Sequence, residues 1–140
     1  MRSQKEEAVL DHLCISVSDL ARSRRFYEAA LMPLGYRVVS LSGRTIGFGV
    51  PEGPGRSADP GGDFWLAEET FGPPLPHFAF AAATRAAVDA FFAAALAAGG
   101  TDNGAPGLRP RYHPGYYAAF IIDPDGYNVE AVYHRPANEE

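Results

Sequence analysis

Three side chains of this chain can hold a divalent cation if folding brings them together. They are His12 and His77, each inside a short apolar run, and Glu130, in Asn128-Val129-Glu130-Ala131-Val132. A carboxylate in the middle of an apolar strand is seldom buried without a compensating partner, because desolvating its charge is costly. Two neutral imidazoles and one carboxylate suit Fe(II), and also Mn, Zn, Ni or Co, and leave positions open for water or substrate. An arginine partner for Glu130, and hydrogen-bonded core positions for the histidines, are the alternatives these residue types leave open.

The two histidines stand at equivalent places in an internal repeat. Sliding the chain by 77 − 12 = 65 residues without gaps lays LDHLCISVSDLARSRRFYEAAL (10 to 31) over LPHFAFAAATRAAVDAFFAAAL (75 to 96). Leu10 and Leu75, His12 and His77, Phe26 and Phe91, and Leu31 and Leu96 then coincide, and Gly35 falls on Gly100. A duplicated unit fixes the architecture that its motifs must occupy. If the copies pack about a pseudo-twofold axis, equivalent residues near that axis approach one another, as shared metal ligation requires.

Each copy reads as a strand followed by a helix. Val9 to Val17 and Leu75 to Ala82 are apolar runs of strand length, with Ser18 or Asp19, and Thr84, in capping positions after them. In the second copy Val88, Phe91, Phe92, Ala95 and Leu96 follow amphipathic helical spacing, and Gly99-Gly100 ends the helix as Pro33 and Gly35 end the first. Shorter β-like stretches come next: Tyr36 to Leu41, Arg44 to Val50 and Asp63 to Glu68, then about Leu108 to Tyr112, Tyr116 to Ile122 and Asn128 to His134. The linkers Gly49 to Gly62 and Thr101 to Gly115 are rich in Gly and Pro and read as loops. The expectation is an α+β chain with one domain over 1–140, built from βαβββ modules at about 8–70 and about 74–135.

Strand alternation predicts where these side chains point. Leu13, Ile15 and Val17 share the helix-packing face of the first strand, and Leu10, His12, Cys14 and Ser16 the other. Phe78 and Phe80 face the second helix, leaving His77 with Ala79 and Ala81 on the opposite face. His113, Tyr116 and Tyr117 precede or begin the penultimate strand, where one of the two tyrosines must face the cleft. Histidine exchanges protons near neutral pH and tyrosine donates to an oxyanion, so the three are candidates for acid/base or orienting roles. A surface histidine with packing tyrosines is the alternative. Arg109 and Arg111 can attract an acidic substrate or simply be exposed edge residues. Trp65 and Phe64 can wall a pocket or pack in the core.

Composition removes whole classes of function. A net charge of −5 with no basic cluster disfavours nucleic acid. The longest nearly unbroken apolar stretch, Phe91 to Ala98, is less than half of the ~20 residues a membrane span needs, and MRSQKEE lacks a signal-peptide core. The single cysteine, Cys14, cannot close an internal disulfide. A cytoplasmic protein without a membrane or nucleic-acid partner is expected.

The paired βαβββ units, His12 in LDHLCISVSDLARSRRFYEAALMPLGY, His77 in PHFAF and the ending YYAAFIIDPDGYNVEAV resemble the vicinal oxygen chelate superfamily. It includes glyoxalase I, bleomycin-resistance proteins, fosfomycin-modifying enzymes and extradiol dioxygenases. The resemblance covers nearly the whole chain, and its most specific piece is the Asp123-Pro124-Asp125-Gly126 turn followed by Glu130. It implies an incomplete eight-stranded barrel with flanking helices, a metal in the cleft, a small substrate bound through neighbouring oxygens, and a homodimer. Glyoxalase I usually adds a fourth ligand at the repeat mate of Glu130. Here 130 − 65 = 65 gives Trp65, and aligning Asp59-Pro60-Gly61-Gly62 with the later turn gives Leu66, neither of which binds metal. Asp63 or Glu68 reaching in through another register is the remaining route to a fourth ligand. His113, Asp123, Pro124, Gly126 and Glu130 match the dioxygenase signature, but Phe120 stands where it has a tyrosine. The implied function is a metal-dependent lyase, isomerase or transferase. The alternatives are an extradiol-type dioxygenase and a non-catalytic drug-binding protein.

Overall fold

The computed structural model describes residues 10–53 and 55–135. Val9, the expected start of the first strand, and Ala8, within the expected first module, lie outside them. The chain runs β1 (Leu13–Val17), α1 (Leu20–Leu31), a 3-10 turn (Met32–Leu34), β2 (Arg37–Ser42), β3 (Thr45–Gly49) and β4 (Phe64–Glu68). It then repeats the pattern as β5 (Phe78–Ala81), α2 (Arg85–Ala97), β6 (Thr101–Leu108), β7 (Tyr116–Ile122) and β8 (Asn128–His134). The strands form two four-stranded sheets, ordered β1-β4-β3-β2 and β5-β8-β7-β6, and the barrel is not closed.

Local chemistry explains where the helices begin and end. The Asp19 carboxylate accepts from the Arg22 backbone N–H at 3.1 Å and the Thr84 hydroxyl from that of Ala87 at 3.0 Å, so each caps an otherwise orphaned donor. Ser23, Phe26, Tyr27, Ala30 and Leu31 form the buried stripe of α1, and Val88, Phe91 and Ala95 that of α2. The 3-10 turn that follows the first helix stops where Gly35, at φ 94°, turns its N–H back to the Met32 carbonyl.

The 65-residue offset survives into the hydrogen-bond register. Cys14 pairs with Trp65 in the parallel β1/β4 ladder, and Ala79 with Glu130 in the parallel β5/β8 ladder. Since 79 − 14 and 130 − 65 both equal 65, Trp65 and not Leu66 is the structural mate of Glu130.

One expected loop is a strand. Thr101–Leu108 forms β6, pairing with β7 through two register shifts, whereas a strand was expected near Leu108 to Tyr112. The residues DNGAPGL are tolerated because β6 is a sheet edge: Pro106 withdraws no hydrogen bond from a second neighbour, and Gly104 accommodates a bulge at φ 150°.

The helices pack on one face of the sheets and the core between them draws on both halves. Phe64 of β4 meets Tyr27 of α1 at 5.0 Å between ring centroids and Phe80 of β5 at 5.1 Å, and Phe80 meets Tyr36 at 5.3 Å. All but Tyr36 are buried, each contributing on the order of 2 kcal/mol by area removed from water. Polar ties cross the same boundary. The buried Tyr27 hydroxyl donates to Asp123 Oδ2 at 2.5 Å, and Ser18 and Arg22 both reach Asp125 Oδ1, at 2.5 and 2.9 Å. Tyr127 donates to the Ser16 carbonyl at 2.6 Å. The Asp123–Gly126 turn therefore holds the second module onto α1 and β1.

Among the described residues no helix is long and apolar enough to cross a membrane.

Candidate functional site

Alternation along β8 sends Val129 and Ala131 toward α2, and Glu130, Val132 and His134 to the opposite, open face. Phe120 of β7 lies directly across from Glu130, Tyr116 across from His134, and Ala79 of β5 on the other side of Glu130. His77, just before β5, is held over this face by the hydrogen bond between its Nδ1 and the Asn128 carbonyl, 2.8 Å.

The centre of the face is a contact between His77 and Glu130. His77 Nε2 lies 2.9 Å from Glu130 Oε1, and the Tyr116 hydroxyl donates to Glu130 Oε2 at 2.5 Å. The Glu130 side chain is only 4% exposed and that of His77 is 45% exposed, so a buried carboxylate meets solvent through an imidazole. A carbonyl oxygen only accepts, so Nδ1 of His77 carries the hydrogen. In the neutral ring Nε2 is then a lone pair facing a carboxylate lone pair, and that approach requires a shared proton or a metal ion between them. An imidazole oriented by a backbone carbonyl through its far nitrogen is the usual outer support of a metal-binding histidine.

Burial, then the hydrogen bond to Glu130 and the charge of that carboxylate, hold the Tyr116 phenol above its ordinary range. Tyr116 is therefore a hydrogen-bond donor at neutral pH. Its ring stands edge-on to His113 and to His134, at 5.3 and 5.2 Å, and the two histidines stack with His113 Nε2 3.1 Å from His134 Nδ1.

Tyr117 goes the other way. Its hydroxyl donates to Asp89 of α2 at 2.7 Å and its ring carries the Arg85 guanidinium at 5.0 Å, which places it on the helix side of the sheet, away from Glu130. Adjacent strand residues cannot both face the cleft, and Tyr116 is the one that does.

His12 lies in the approach to β1, exposed, with Nδ1 2.8 Å from Asp11 Oδ1. It lines a cavity of about 430 Å³ together with His77, Tyr36, Asp63, Phe78 and Phe80. His12 and His77 thus share a cavity, while only His77 touches Glu130. Among the described residues no three His, Cys, Asp or Glu side chains are gathered as a metal-ion cluster. As for a fourth ligand, Asp63 borders this cavity but accepts from Ser57 at 2.8 Å, and Glu68 is tied to the Leu20 N–H at 2.9 Å. Trp65 folds its indole toward Gly47 and Gly61, with Nε1 3.3 Å from the Gly62 carbonyl.

The sequence reading passed over His134, Asn128 and the arrangement around Phe120. His134 shares the Glu130 face by simple i, i+4 strand spacing, a signal that was available. The ring of Phe120 stacks near His77 at 6.1 Å, an arrangement that depends on the β7/β8 register.

The family model described as Glyoxalase/Bleomycin resistance protein/Dioxygenase superfamily matches residues 9–131. The chain belongs to this superfamily. Among solved structures it is similar to a glyoxalase/bleomycin resistance protein from Albidiferax ferrireducens T118, with 30% identity and a TM-score of 0.71, over 90% of this chain and 98% of that one. A glyoxalase/bleomycin resistance protein/dioxygenase family enzyme from Burkholderia phytofirmans PsJN is 22% identical, with a TM-score of 0.65, over 91% and 100% of the two chains. A glyoxalase-related enzyme from Fulvimarina pelagi is 18% identical, with a TM-score of 0.66, over 90% and 88%. The last two likenesses speak for the fold alone. No curated protein matches the sequence. Superfamily membership accounts for the paired modules and the open cleft, and leaves the reaction to the side chains in that cleft.

Proposed function

We propose that the chain is a divalent-metal-dependent enzyme of the glyoxalase superfamily, of lyase, isomerase or transferase type, acting on a small substrate through two neighbouring oxygens. The observation that carries this reading is the 2.9 Å approach of His77 Nε2 to a buried Glu130 oxygen while Nδ1 is committed to a carbonyl. Those two donors fit a cation, and His12, bordering the same cavity as His77, is the third ligand in this reading. Zn, Fe, Mn, Ni and Co all suit the set. The ion would supply Lewis acidity, polarising the oxygens of the bound substrate. Tyr116 holds the carboxylate and keeps its own proton, and His113 stands beside Tyr116 as the candidate proton carrier. Phe78 and Phe80 give the cavity an apolar wall.

A homodimer belongs to this reading. Light scattering on the purified protein measures it.

The metal reading is tested by elemental analysis of protein purified without added metal and after reconstitution, alongside His12→Ala, His77→Ala and Glu130→Gln. Near one equivalent in the wild type and a deep loss in the variants supports it. Near-zero metal in all four proteins overturns it. A second reading, a non-catalytic binder, draws on the separation of His12 from Glu130 and on the aromatic lining of the cavity. Tight binding of an aromatic drug that survives chelator treatment would favour it.

A further inference from the structure

Beside the His77–Glu130 pair lies a second built feature, made by Arg109. Its backbone N–H bonds the Tyr116 carbonyl at 2.8 Å, extending the β6/β7 ladder beyond Leu108–Tyr117, so its side chain emerges on the same face as Tyr116, Phe120 and Glu130. The guanidinium then folds back along β6. It lies 5.3 Å from the centroid of the Phe120 ring, and one Nη donates to the Ala105 carbonyl at 2.8 Å.

Glycines make this fold-back feasible. A Cβ at Gly107 would stand 3.1 Å from one Nη of Arg109, and at Gly104 3.3 Å from the other. The bulged, side-chain-poor edge strand is thus a cradle for a planar cation. Arg111 joins Arg109 in lining a cavity of about 290 Å³ with Asn103, Gly104, Tyr112 and Phe120. No carboxylate lines it, and among the described residues none lies within ion-pair distance of Arg109. On the far side, Phe120 stacks near His77. Cation, aromatic ring, imidazole and buried carboxylate therefore follow one another across a single sheet face.

We infer that the substrate carries an anionic group, a carboxylate, which Arg109 and Arg111 receive while its neighbouring oxygens meet the His77–Glu130 pair. This inference rests on the reading of that pair as the chelating end of the site. A partly buried guanidinium with free donors and no protein counter-charge favours an oxyanion over a neutral group, because charge-assisted hydrogen bonds are about twice as strong as neutral ones. Phe120 between the two ends suits a planar or apolar spacer in the substrate.

Two probes separate the ends: catechol, with neighbouring oxygens only, and 3,4-dihydroxybenzoate, with the same oxygens and a carboxylate. Their affinities are measured by calorimetry on zinc-loaded protein, and by NMR of the arginine side-chain N–H signals on metal-free protein, with zinc content determined in parallel. The wild type is expected to prefer the carboxylate probe by about tenfold or more. In Arg109→Ala that preference falls to about one, and Arg109→Lys, which keeps the charge and loses the planar fork, lies between. Equal affinity for both probes in the wild type, or a preference that persists in Arg109→Ala, overturns the inference whatever the zinc content. A wild type that holds no zinc but keeps an Arg109-dependent preference upholds the anion site and overturns the metal reading alone.

Discussion

Trp65 and Glu130 occupy the same position in the two modules, one filled by an indole and the other by a carboxylate. The difference leaves a carboxylate on one half of the cleft and gives the other half an aromatic plate. That plate closes against glycine: a Cβ at Gly47 would meet the Trp65 ring at 2.9 Å and collide with the Gly61 carbonyl. Gly47→Ala is therefore expected to cost about 1–3 kcal/mol of stability, since neither neighbour is a flexible tip that can yield. Gly72→Ala, with open space around it, should stay within about 0.5 kcal/mol of wild type. Urea midpoints at constant m compare the two.

Glu130→Gln tests the carboxylate with little change of shape. It keeps an acceptor for Tyr116 and removes the charge that faces His77. Metal affinity should fall by at least about tenfold, and thermal stability should hold or rise, because an amide is cheaper to bury than a carboxylate. Calorimetric titration with zinc and a melting curve read the two effects separately.

Tyr116 and Tyr117 form an internal control. Tyr116→Phe removes the donor on Glu130 Oε2 and is expected to weaken metal binding about 10- to 100-fold, the usual cost of losing an outer support of a ligand. Tyr117→Phe removes a hydroxyl from Asp89 on the other side of the sheet and should leave metal binding unchanged. Equal losses in both would mean that the effect is general loosening of β7.

Tyr27→Phe carries a pH signature. Burial raises the Asp123 carboxyl above its ordinary range, and the Tyr27 hydroxyl and the Tyr127 and Asp125 N–H groups pull it only part of the way back. The folded state therefore holds this proton more tightly than the unfolded chain does. The associated stability is complete below the ordinary value of 3.8 and is lost as pH rises through the raised folded value. Removing the Tyr27 donor raises that folded value further, so the variant should lose about 1–3 kcal/mol at neutral pH and less in acid. Denaturation at pH 7 and near pH 4 measures the convergence, and a gap that widens in acid would contradict it.

How much of this was legible in the sequence depended on whether the signal was local or a matter of pairing. The first cap was narrowed to Ser18 or Asp19 and the structure selects Asp19, while the cap Thr84, the stripe Val88, Phe91, Ala95, and the opposite facing of His77 and Phe78 could be read directly. The strand at Thr101–Leu108 could not, because an edge strand needs hydrogen bonds on one side only, and its glycines and proline carry the composition of a loop. The tyrosine choice was narrowed to one of two by alternation and decided by the register that sets Tyr116 beside His134. The equivalence of Trp65 with Glu130 had two readings in the sequence, and the parallel ladders select one. The repeat put His12 and His77 at matching positions, and they border one cavity, but a repeat fixes backbone positions and not how far apart two half-sites sit.

The polar ties between the modules, Tyr27 to Asp123, Ser18 and Arg22 to Asp125, and Tyr127 to Ser16, have a consequence for the segment 70–77 that joins them. Recognition between the halves is written in side chains, so that segment acts as a leash that raises their local concentration and need not be a brace. A protease cut within it should leave two fragments that co-purify, and two halves produced from separate messages should assemble into the same paired fold.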